Sequence, residues 1–69
     1  MGLVEEFFDS VSAEQAERNA MVLLAEWGRV MTRPGTDALQ ALDEFSKERG
    51  ARIEEATLAI VRALWIIQL

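Results

Sequence analysis

The chain has 69 residues, 12 of them acidic and seven basic, giving a formal net charge of -5, and it contains neither Cys nor His. Disulfide staples, the common Cys/His zinc sites and Cys- or His-activated nucleophiles are thereby excluded. A domain of this size buries only about 60% of the surface its unfolded chain exposes, so idealised helix packing or association with a second chain is expected to complete its core.

The acidic excess is spread evenly, with six acidic and three basic residues up to Arg33 and six and four after it. Such a chain repels nucleic acid and anionic membrane at long range, and the partner it favours is basic or apolar. Glu5, Glu6 and Asp9 stand where a signal peptide needs a basic region and an apolar run, so a cytoplasmic location is expected. The apolar C-terminal stretch is too short for the about 20 residues of a bilayer span and carries Arg62 in its middle.

In chain order, Leu3, Val4, Phe7, Phe8 and Val11 share one face opposite Glu5, Glu6 and Asp9, which predicts a short amphipathic helix over about 3–11. Ser12 with Gln15 has the spacing of a capping box and opens a second helix over about 13–33. Ala16, Ala20, Leu23, Leu24, Trp27, Val30 and Met31 form its expected buried face. Gly28 lies inside this helix and predicts close approach by a neighbour. Pro34-Gly35 terminates it, because proline disfavours helical geometry in the residue before it and glycine accepts positive φ.

Asp37 with Gln40 caps a third helix over about 38–48, expected to bury Ala38, Leu39, Leu42 and Phe45. Gly50 then ends it, the alternative being a continuous helix running through Gly50. The last segment, about 51–69, is apolar nearly all round. Ile53, Ile60 and Ile67 recur every seven residues beside Ala56, Ala63 and Leu64, while Leu58, Val61, Trp65 and Leu69 cover a second side. A helix with two apolar faces needs two partners. The predicted fold is therefore a single all-α domain, a small bundle of three to four helices completed by homodimerisation, with Ile53, Ile60, Leu64, Trp65 and Ile67 at the dimer interface.

Chemistry-bearing patterns are few. The acidic pairs Glu5-Glu6, Asp43-Glu44 and Glu54-Glu55 are neighbours in sequence and point to different sides of a helix, which suits neither paired-acid catalysis nor a metal cage. Gly28, Gly35 and Gly50 are isolated and make no phosphate-binding loop. Phe45 to Ile60 loosely fits a helix-turn-helix, yet Ile53, Glu54 and Glu55 would face DNA where Lys or Arg is required.

The spacing Gly28-x-x-Met31-x-Arg33, then Ala38-Leu39-x-x-Leu42, Ser46, Ile53, Glu55, Thr57 and Ile60 resembles the ANTAR domain of bacterial transcription antitermination regulators, over roughly residues 22–61. The resemblance implies a three-helix module that binds paired RNA hairpins as a dimer. The sequence departs from that pattern at Glu26-Trp27-Gly28, where the family has Ala-Lys-Gly, at Leu39, where it has an aromatic, and at Asp43, where it has a basic residue or Gln. If RNA is bound, Lys47, Arg49 and Arg52 around the Gly50 turn are the residues to carry it, with Arg29 and Arg33 as additions.

These features lead to the expectation of a small acidic, non-enzymatic regulatory or inhibitory protein that acts on a macromolecular partner, a protein before an RNA, with no cofactor and no metal. The ANTAR-like RNA-binding module is the alternative.

Overall fold

The computed structural model describes residues 2–68, all-α in architecture and without a strand among them. A short π-helical turn, Glu5–Asp9, precedes three α-helices: α1 (Ala13–Met31), α2 (Ala38–Glu48) and α3 (Ile53–Ile67). Residue 69, the expected end of the last helix, lies outside the described residues.

Local chemistry sets each boundary. The first segment winds more widely than an α-helix, the Ser10 N–H donating to the Glu5 carbonyl at 3.0 Å. Its apolar residues nevertheless face inward: Leu3 and Phe8 are buried, with Val4, Phe7 and Val11 packed beside them. The Ser12 side chain accepts from the Gln15 N–H at 3.1 Å, whereas the Gln15 side chain turns along the helix to Asn19 and Arg18, so only one half of the expected capping box forms. Helix α1 closes at Met31, two residues before the predicted end, because Pro34 pulls Arg33 out of helical geometry. Asp37 caps α2, its Oδ1 accepting from the Gln40 N–H at 2.8 Å.

Gly50 separates α2 from α3 and rules out the continuous helix. Its φ of 64° is left-handed, its N–H donates to the Lys47 carbonyl at 3.1 Å and the Ala51 N–H donates to the Ser46 carbonyl at 3.0 Å. These are the two bonds of a Schellman motif, which satisfies carbonyls a helix end would otherwise leave orphaned. Glu54 and Glu55 then fall in the first turn of α3, at the positive end of its dipole.

The core is built from small residues. Helix α1 packs more extensively against α3 than against any other element. Ala20 of α1, Ala41 of α2 and Ala56, Ala59 and Ala63 of α3 are fully buried, allowing close helix approach. Leu23, Val30 and Phe45 are the largest fully buried side chains, and the Trp27 ring meets Phe45 edge-on with centroids 5.5 Å apart.

Three packing expectations need correction. Met31 is exposed, lying in the last turn of α1. Ala38 and Leu39 are exposed too, because the buried arc of α2 runs through Ala41 and Phe45; at ~100° per residue Leu39 points roughly 120° away from Phe45. Gly28 has no neighbouring heavy atom within 4 Å of where a Cβ would stand, so no neighbour exploits its missing side chain.

Candidate interaction surface

Helix α3 has two apolar faces with different fates. Ala56, Ala59, Ile60 and Ala63 are buried inside the chain, with Ile66 and Ile67 packed against the same core. On the opposite side Leu58 is 60% exposed, Val61 56% and Trp65 79%. At ~100° per residue these three fall within an arc of about 60°, directly across the helix from Ala59 and Ala63. Leu64 and Ile53 lie beyond the Val61 side of the arc and are also exposed.

The expected interface is thereby redrawn. Ile60, only 8% exposed, belongs to the chain's own core, and Ile67, partly buried, packs against that core. Ile53 and Leu64 sit at the edge of the outer face, and Trp65 stands at its centre. Leu58 and Val61 complete it. The reason is the size of the inner residues: an alanine-rich strip lets α1 approach α3 closely, which turns the bulkier Leu58–Val61–Trp65 strip outward.

The outer face has relief. On one side a groove of ≈ 520 Å³ runs between α3 and the N-terminal segment, lined by Val4, Glu5, Asp9, Leu58, Val61, Arg62 and Trp65. On the other side Val61, Leu64, Trp65 and Gln68 line a second groove of ≈ 520 Å³. Val61 and Trp65 therefore form a ridge between two hollows. Arg62 donates to Asp9 at 2.7 Å and pins the N-terminal segment along the first groove, while Glu5 is exposed at its rim. The part played by Val4, Glu5 and Asp9 was invisible in the sequence pattern, since Asp9 and Arg62 are 53 positions apart and only the tertiary fold joins them.

The basic residues around Gly50 are already engaged. Lys47 pairs with Asp43 at 3.0 Å and Arg52 with Glu55 at 3.7 Å. Arg49 is bonded to Glu26 of α1, and its guanidinium carbon lies 5.1 Å from the Phe45 ring centroid and 5.9 Å from that of Phe7. With its side chain 16% exposed, Arg49 ties α2, α1 and the N-terminal segment together. Burial pushes its pKa down, although an arginine starts so far above neutrality that it keeps its charge at pH 7. Arg33 is likewise paired, to Glu44 at 3.2 Å and Glu48 at 3.7 Å.

A third hollow of ≈ 440 Å³, beside Arg49, mixes the charges of Glu6, Glu26, Arg29 and Glu48. Among the described residues no group of three acidic side chains is placed to hold a metal ion. No helix among them is long and apolar enough to cross a membrane. Searches against protein-family models, curated proteins and solved structures return no match to this chain.

Proposed function

We propose that this chain is a small acidic regulatory or inhibitory protein that works without catalysis, by docking another protein chain on the outer face of α3. The observation that carries this reading is the exposed strip Leu58–Val61–Trp65 with a groove on either side. Scattered surface hydrophobics need no explanation, but contiguous apolar residues on one face of a well-formed helix mark an interaction site. Helix-in-groove recognition uses this i, i+3, i+7 spacing of anchors, and tryptophan is among the residues that most often dominate an interface.

The competing reading is ANTAR-like RNA binding around the Gly50 turn, which rests on the resemblance. There Lys47, Arg49 and Arg52 each pair with a carboxylate, so three negative charges stand beside the three positive ones and compete with phosphate. Capture from a cell lysate on an N-terminally tagged chain, with and without nuclease, separates the two. A protein chain, foreign or an untagged copy of this one, retained after nuclease treatment by the wild type and lost by Trp65→Glu is the expected result. A defined RNA whose capture survives Trp65→Glu and is lost in Lys47→Gln/Arg52→Gln would overturn it in favour of RNA. Arg49 is left intact in that variant because a change there also removes the partner of Glu26.

A further inference from the structure

We infer that the occupant of the outer face of α3 is a second copy of this chain, docked antiparallel about a two-fold axis that passes between Val61 and Arg62. This rests on the reading of that face as a docking surface and names what covers it.

Three observations point to self-association. The first is shape. Trp65 projects from the face, and a groove bordered by Leu58 and Val4 lies on the same face. Leu58 and Trp65 are seven residues, or about 10 Å, apart along the helix. A two-fold axis midway between them sets Leu58 of each copy against Trp65 of the other, so one knob and one hollow serve both sides, as an isologous interface requires. The second is area. Leu58, Val61, Leu64 and Trp65 leave on the order of 400 Å² of apolar side chain in water. A stable interface buries about 800 Å² per partner, somewhat over half of it apolar, which these residues and their polar rim can supply.

The third is chemistry at the rim. The groove's rim carries the exposed carboxylate of Glu5, an acceptor only, beside the Asp9 carboxylate that Arg62 already engages, and the indole N–H of an arriving Trp65 is a donor from which Glu5 can accept.

The test uses the full chain. Its solution mass, followed by sedimentation over about 1–200 µM, is expected to rise from one to two chain masses, and Trp65→Glu, counted twice in a symmetric pair, to weaken association at least about 100-fold. Circular dichroism confirms that the exposed substitution leaves the helices intact. The chain has no cysteine, so single cysteines report the geometry. Under mild oxidation Val61→Cys, beside the axis, is expected to cross-link to itself, whereas Leu58→Cys is not, its two copies being about 10 Å apart along the antiparallel helices. Self-cross-linking of Leu58→Cys at the rate of Val61→Cys overturns the antiparallel arrangement. A wild type that stays monomeric across the range overturns the second copy. In that case a foreign protein captured by the wild type and lost in Trp65→Glu leaves the docking face standing, while capture indifferent to Trp65→Glu removes both.

Discussion

Ile60 and Val61 are adjacent branched aliphatic residues on one helix, yet truncating them should have opposite consequences. Ile60 is buried in the core beside Ala56, Ala59 and Ala63 of its own helix, and Ile60→Ala removes three heavy atoms from that core. Large-to-small changes of this kind cost about 2–5 kcal/mol. A chain of this length holds about 3–10 kcal/mol in total, at ~0.05–0.15 kcal/mol per residue, so the loss is a large fraction of the whole. In a domain of this size 1 kcal/mol shifts Tm by about 4–8 °C, which places the Ile60→Ala transition at least about 10 °C lower, if a transition survives at all.

Val61, more than half exposed, loses solvent-facing methyls, and Val61→Ala should change monomer stability by less than about 0.5 kcal/mol while weakening association. Thermal melts by circular dichroism in dilute solution, where association makes no contribution, measure both. Equal losses, or a larger loss for Val61→Ala, would refute the assignment of the two faces.

Other outcomes follow from individual contacts. Gly28→Ala should raise stability by about 0.5–1 kcal/mol, because the helix gains the better former and a Cβ meets nothing within 4 Å; a lower midpoint in urea would show that the site is constrained. Gly50→Ala should cost about 1–2 kcal/mol through its left-handed backbone, read by the same denaturation midpoint, with no loss meaning that the Schellman turn can be replaced. Arg49→Ala should cost about 1–3 kcal/mol by stranding Glu26 and uncovering Phe7 and Phe45. In a double-mutant cycle with Glu26→Gln the two losses should fall short of additive, and strict additivity would deny the pair its role. Raising salt should strengthen association between two copies that each carry a charge of -5, the reverse of what salt does to RNA binding, so sedimentation at two ionic strengths tells the two apart.

Much of this fold is legible one segment at a time. Ser12, Asp37, Pro34 and Gly50 act within a few residues of themselves, through caps and backbone geometry, and the structure puts the helix boundaries at or beside them. That α3 carries two apolar faces is equally local, a matter of period. Which face turns inward is not, since that depends on what α1 presents across from it. The heptad of isoleucines suggests an interface between chains, whereas Ala56, Ala59 and Ala63 decide the matter by allowing the closer approach, and Ile60 is drawn inside with them. Hydrophobicity alone ranks the strip Leu58–Val61–Trp65 above the alanines and points the wrong way.

The candidate surface divides along the same line. Trp65 is visible in the sequence as the one aromatic on the last helix, but the acidic groove beside it is assembled from segments about 50 residues apart. Arg49 shows the converse. A basic residue at a helix end looks free until the fold brings Glu26, 23 positions away, to meet it.

Trp27 and Trp65 are the only tryptophans in the chain, so Trp27→Phe leaves Trp65 as a single reporter at the centre of the proposed interface. Quenching of its fluorescence by a small polar quencher, followed from dilute to concentrated protein, tests most directly whether the outer face of α3 is bare in the single chain and covered on docking. Full accessibility when dilute, falling as the chains associate, is the predicted result. Protection already present in the dilute monomer, or accessibility unchanged at every concentration and with captured partner bound, would contradict it.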